Sequence, residues 1–455
     1  MWLRKRSIDL LWLAGLGLLL TLPAQAAELT GKPLWRGQVE LTETTIVHED
    51  AVLTIVAGTR VVVTDPAAKL IIRGRLLVQG SRRTPVVFAS PAGWEGIEFM
   101  EAKPGSQINW TRFAGAKMAL SSFGTDFTVA NSHFEDCEFA IKLFRESAPL
   151  IVDSEFVNNQ VGVDNQMKSA ATIRDNRFAD HGKTAIVASH GSRGEITGNH
   201  FSGNVQAIGL LQRYPDRVAG NTFSDNQVAI YCNQTQNTPL VESNLFEKNG
   251  QALINFSFAY PVVRNNRFID NETAVRNDQY GSTVIEHNLF QGNQTALFNN
   301  RKSNPQVTRN LFQQNGLALF CDYSSYPQVA NNNFVDNEMG VKLGIYQSAD
   351  WEKRSGSRAI MQREAAERQS QNPLLAKAPT EFTDIVDVSD NYWGAQTSLL
   401  EAAGADGNVS IFHDRRDQPH VTYEGFGTDS YRLDKIRYAP WLPEPVAQVG
   451  PRETP

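Results

Sequence analysis

The sequence predicts an all-β solenoid of about thirteen or fourteen stacked coils, and three observations carry that reading. Phe recurs as Phe113, Phe134, Phe156, Phe178, Phe201, Phe223, Phe246, Phe268, Phe290, Phe312 and Phe334, at spacings of 21 to 23 residues. Five residues before each Phe stands a Val or Ile, from Ile108 and Val129 through to Val329. Asn keeps the same step, two residues before the Phe from Asn176 to Asn332 and three after it at Asn159, Asn204, Asn226, Asn249, Asn271, Asn293, Asn315 and Asn337. β-branched and aromatic residues on short segments bounded by Asn or Gly read as strands. A helical repeat of this length would show 3.6-residue periodicity, and none is visible. About 22 residues make one coil of three short strands, so equivalent positions stack roughly 4.8 Å apart. The Phe column then stacks on itself in the interior, and Asn suits the corners. It tolerates left-handed backbone, and stacked amides can bond from rung to rung.

The segments follow in order. Residues 1–26 read as a signal peptide: Arg4, Lys5 and Arg6, an apolar run from Leu10 to Leu22, then the small-x-small triplet Ala24-Gln25-Ala26. Residues 27–107 supply an N-terminal cap, expected over 28–50, and the opening coils. The regular 22-residue coils occupy 108–345. The step from Phe334 to Trp393 exceeds the repeat by 37 residues, which places an inserted loop at 346–382. Its stretch 358–369 is rich in good helix formers, so a helix is expected within 350–370, lying over the last coils. Residues 383–455 form a closing coil, cap and tail, because open sheet ends need covering.

Composition limits the partners. The chain has 455 residues, a net charge of −6 and only three cysteines. Removing 1–26 takes away Arg4, Lys5, Arg6 and Asp9 and leaves −8. Bulk charge therefore argues against nucleic acid, and no membrane span remains after signal cleavage. Cys232 and Cys321 share one column with Asn255, Asn277 and Asn299, four coils apart, far beyond disulfide reach. They read as buried fillers, and Cys137 takes an Asn corner position.

The repeat resembles the right-handed parallel β-helix family, the pectin-lyase-like solenoids whose coils read Asn-x-Phe-x-x-Asn-x-x-Gly/Ala-Ile. The resemblance covers about 108–341. Flanking pieces extend it: Leu53-Thr54-Ile55 with Gly58, Leu76-Leu77-Val78 with Gly80, Trp94-Glu95-Gly96-Ile97, and Asn391-Tyr392-Trp393-Gly394 as a closing coil. It implies a right-handed parallel β-helix, and family enzymes that cut or epimerise acidic polysaccharides. Their signatures are missing here. Ser189-His190-Gly191 only partly echoes Gly-His-Gly, and Asp417-Gln418-Pro419-His420 is a broken Asp-Pro-His. His413, Asp414, Asp417 and His420 are metal-ligating types, but in a terminal loop they read as solvated polar residues. No cofactor or metal is expected.

The best constellation lies ten residues after successive Phe anchors: Asp278, Asn300 and Asp322. Two coils, about 10 Å, separate the carboxylates, near the upper limit for an inverting glycosidase pair. Arg276, Tyr280, Arg301, Lys302 and Tyr323 surround them on the same side. Eight after the anchors come Tyr231, Phe298 and Phe320, which strand alternation turns outward. Stacked aromatics suit sugar rings, and equally a covering loop or partner. The sequence thus predicts an exported binding or scaffold protein that presents this face to a polysaccharide or an envelope protein. A polysaccharide lyase or glycoside hydrolase using Asp278 and Asp322, and a structural envelope spacer, stay open as alternatives.

Overall fold

The computed structural model describes residues 26–90, 92–212, 217–235, 239–355, 383–424 and 427–452. The expected signal peptide apart from Ala26, and residues 356–382 of the inserted loop, lie outside the described residues.

Three parallel sheets form the solenoid. Sheet A has 16 strands, and sheets B and C have 14 each. Every coil runs B, C, A. One example is Phe127–Ala130, His133–Glu135 and Phe139–Phe144. The sequence repeat is the register itself, since Phe113 pairs with Phe134, Phe134 with Phe156, and so on to Phe334. Those rings are buried and stack at centroid distances of 4.6 to 5.1 Å from Phe88 onward. Trp393 ends the column, 4.4 Å from Phe334.

The corners explain the Asn residues. At the B–C and C–A bends one residue takes a left-handed conformation, as Asn131 and Asp136 do. The next residue turns inward, and there stand the two Asn columns. The Asn266 side-chain amide donates to the Val241 carbonyl at 2.9 Å and to Asn288 Oδ1 at 3.0 Å. Its own oxygen accepts the backbone N–H and the amide of Asn244, each at 3.0 Å. The second column repeats this from Asn204 to Asn337. Each amide so satisfies polar groups that a buried bend would otherwise leave unpaired. The A–B bend differs: two consecutive left-handed residues make it, such as Gln279-Tyr280, Arg301-Lys302 and Tyr323-Ser324.

At the N-terminal end, strands Ala27–Leu29, Leu34–Trp35 and Gln38–Leu41 pair in parallel with the next coil and form the first rung among the described residues. At the other end Asn391 closes the first Asn column against Asn332. Strand Phe412–His413 then adds the last strand of sheet A, and an antiparallel hairpin of His420–Thr422 and Ser430–Arg432 follows. Helix Ala349–Ser355 leaves the last full coil, and its Trp351 packs edge-on against Tyr423. Buried Asp434 ties these pieces together by accepting from Tyr326 Oη, Gln347 and the Ala349 N–H. Cys137, Cys232 and Cys321 are free thiols, all buried.

Candidate functional site

Sheet A presents the outward row that strand alternation predicts. Its register aligns Val187, Gly209, Tyr231, Ile254, Arg276, Phe298, Phe320 and Lys342. Tyr231, Ile254, Arg276, Phe298 and Phe320 are half-buried. Phe298 and Phe320 stack at 4.8 Å, and the Arg276 guanidinium lies 4.9 Å from the Phe298 centroid.

The side chain of Asp278 is only 1% exposed. Arg301 Nε donates to its Oδ1 at 2.6 Å and Arg301 Nη2 to its Oδ2 at 2.8 Å. Arg276 Nη2 donates to Oδ2 at 2.8 Å, and the Gln279 N–H to Oδ1 at 2.8 Å. Asn300 adds a longer contact of 3.4 Å. Burial pushes this carboxyl up, but the Arg301 and Arg276 guanidinium groups outweigh it and hold it below the usual range. Two arginines are therefore fixed by one buried anion, with Arg301 also 6.0 Å from the Phe256 ring.

Asp322 is a different group. It lies one register step beyond Asn300, and its Oδ1 accepts the backbone N–H of Tyr323 at 2.9 Å and of Tyr346 at 2.8 Å. Burial raises its pKa to about 6, only partly offset by those two amides. The two carboxylates that the sequence pairs are thus pushed apart in acidity. Their settings are equally distinct, since Asp278 has cations on both oxygens and Asp322 has an aromatic surround.

That surround is larger than the sequence suggested. Tyr323 stacks on Tyr346 at 4.3 Å, Tyr346 meets Tyr423 at 4.7 Å, and Tyr423 stacks on Tyr431 at 4.9 Å. Tyr280 stacks on Phe258 at 5.0 Å, and Tyr231 lies 6.3 Å from Phe256. Tyr346 sits one coil on from Tyr323, so counting the repeat into the insertion would have found it. Tyr423 comes from the terminal hairpin, which no periodicity reaches. Lys302 is engaged by buried Glu352 of helix Ala349–Ser355 at 3.5 Å. The start of the insertion therefore closes the Tyr323 end of the row.

The comparisons agree with this architecture. Residues 95–255 match the family described as periplasmic copper-binding protein (NosD), and residues 209–350 match the right-handed β-helix region. No curated protein and no solved structure matches. Among the described residues no helix is long and apolar enough to cross a membrane. The likeness to a periplasmic family supports an exported β-helix protein. With 95–350 covered by the two matches and one coil stacked on the next throughout, the chain belongs to the right-handed parallel β-helix repeat proteins.

Proposed function

We propose that the protein is an exported binding scaffold, working in the periplasm or at the cell surface, and that the outward face of sheet A holds a polysaccharide. One observation carries this reading: the Arg276 guanidinium lies over the Phe298 ring while Asp278 holds that guanidinium in place. A preorganised aromatic and planar cationic row stacks on the C–H faces of sugar rings, offers donors to their hydroxyls, and loses little entropy when it does so. The aliphatic members of the row, Val187 and Ile254, favour a second reading, an envelope protein laid along the same face.

The chemistry of Asp278 supports binding over hydrolysis. A general base needs a free lone pair within reach of water, and both oxygens here already accept from guanidinium groups. Copper, which the matched family's description names, is bound by imidazole, thiolate or thioether donors. Among the described residues no three His, Cys, Asp or Glu side chains come together as a metal site. The three cysteines are buried, and burial raises each thiol, Cys137 to about 11. The described His and Cys side chains therefore build no copper site of three such donors.

A glycan array probed with the chain from residue 27 tests the proposal. Binding of at least one polysaccharide is expected, without release of reducing sugar or unsaturated uronate. Envelope extracts passed over the same immobilised chain test the second reading. Retention of a protein with no glycan bound would replace the first reading by the second, and product release would restore the enzyme.

A further inference from the structure

At the corner between sheets B and C, far round the coil from sheet A, the column of left-handed residues begins with a tryptophan. The position is filled by Asn131, Asp153, Asp175, Gly198, Gly220, Ser243, Asn265, His287, Arg309 and Asn331 in successive coils, and Trp110 starts the series with φ of 49°. Short Asn or Asp and Gly accept this conformation cheaply, whereas a bulky side chain there is an outlier. The corner does not need an indole to close, since its neighbours close without one.

Trp110 is half-buried and lines a groove of about 520 Å³ together with Arg82, Pro85, Arg112, Asn131 and Asp153. The side chains of Arg82 and Arg112 are exposed and make no ion pair or side-chain hydrogen bond among the described residues. Elsewhere Arg177, Arg217, Arg264, Arg276, Arg301 and Arg437 each hold a carboxylate. At the far end Asp153 is exposed and also unpaired among the described residues, while Glu155 is taken by Arg177 at 2.8 Å and His133 at 3.1 Å. The groove crosses the coils of Phe88 to Phe156, three strand spacings or about 14 Å, the length of about four extended residues. It is positive at one end, aromatic in the middle and negative at the other.

We propose that this groove docks an extended segment of a partner protein. The segment sets a carboxylate against Arg82 and Arg112, a proline or aromatic ring on Trp110, and a basic or amide side chain towards Asp153. Trp and Arg are the residues that dominate protein recognition, and the charge reversal along the groove fixes the direction in which the segment lies. An acidic polysaccharide repeats its charge along its length and would place one against Asp153. A peptide varies its side chains and need not. The site stands apart from sheet A, so both faces can be occupied at once.

Selection of phage-displayed random octapeptides on the chain from residue 27 tests this. Enriched sequences are expected to carry Asp or Glu three to five positions from Lys or Arg, with Pro or an aromatic between. The best labelled peptide should lose at least tenfold in affinity with Trp110→Ala and with Arg112→Glu, both checked for an unchanged melting temperature. Arg112 is exposed, so its reversal leaves the fold intact even if Trp110→Ala does not. Changing the peptide's acid to Lys should restore binding to Arg112→Glu. No enrichment, equal affinity for both variants, or displacement of the peptide by a lower concentration of a uronate oligosaccharide would overturn the proposal.

Discussion

One histidine shows how far a single position can depart from its column. His181 stands in the second Asn column between Asn159 and Asn204, and its Nδ1 lies 2.9 Å from Asn204 Oδ1. Burial lowers its pKa from 6.5 to about 4 against weaker opposing hydrogen bonds to Asn204 and the Ala179 backbone. A folded pKa below the unfolded one means that the unfolded chain takes the proton first on acidification. The contribution is complete above about pH 6.5 and is lost as pH falls towards 4. At pH 5 the loss amounts to about 2 kcal/mol. Asp322 and Asp434, both raised to about 6 by burial, slope the other way: their contribution falls as pH rises from about 4 to 6. His181→Asn restores the column residue and removes only the histidine term. Denaturant titrations at pH 7.5 and 5 should show the wild type losing about 2 kcal/mol more than the variant. Equal losses would place the ring in contact with water.

The columns are the elements that hold the coils, and each carries its own kind of energy. Phe268 lies between Phe246 and Phe290 at 4.7 and 4.9 Å and is fully buried. Phe268→Ala should therefore cost about 3–5 kcal/mol. Asn266→Ala removes no comparable volume but strands the Asn244 N–H and the Val241 carbonyl, at about 1–3 kcal/mol for each buried group left unpaired. A loss below 1 kcal/mol for Phe268→Ala in a denaturant titration would contradict an interior stack. These columns were legible in the sequence because their period matches the strand spacing, so repetition reports contact directly. The site was legible only in part. Tyr231, Phe298 and Phe320 turn outward as alternation requires, but Asp278 reads as an exposed carboxylate until Arg276 and Arg301 are seen closing over it. Arg301 reaches it through a left-handed bend with φ of 48°, a backbone choice that residue type does not announce. Tyr423 and Glu352 arrive from outside the repeat, where no count of 22 leads. Trp110 was equally silent, since a lone Trp at a corner has no periodic partner.

At the scale of the molecule the solenoid separates a constant interior from variable outward rows. The interior columns repeat with little change, while the outward rows differ from coil to coil and from sheet to sheet. Sheet A grows aromatic from Tyr231 to Phe320, and sheet C carries Arg112, His133, Glu155 and Arg177 in one row. Binding on one face should then be removable without touching the fold or the other faces. Titration calorimetry with a polysaccharide taken from the array tests this most directly, comparing the wild type, Phe298→Ala/Phe320→Ala and, on sheet C, Arg267→Ala. Each lost stacking surface is worth about 1–3 kcal/mol, by analogy with bases on aromatic platforms. The sheet A double variant should therefore bind at least tenfold more weakly with its melting temperature still cooperative, and Arg267→Ala should match the wild type. Unchanged affinity in the double variant, or a loss confined to the sheet C variant, would contradict the assignment of sheet A as the binding face.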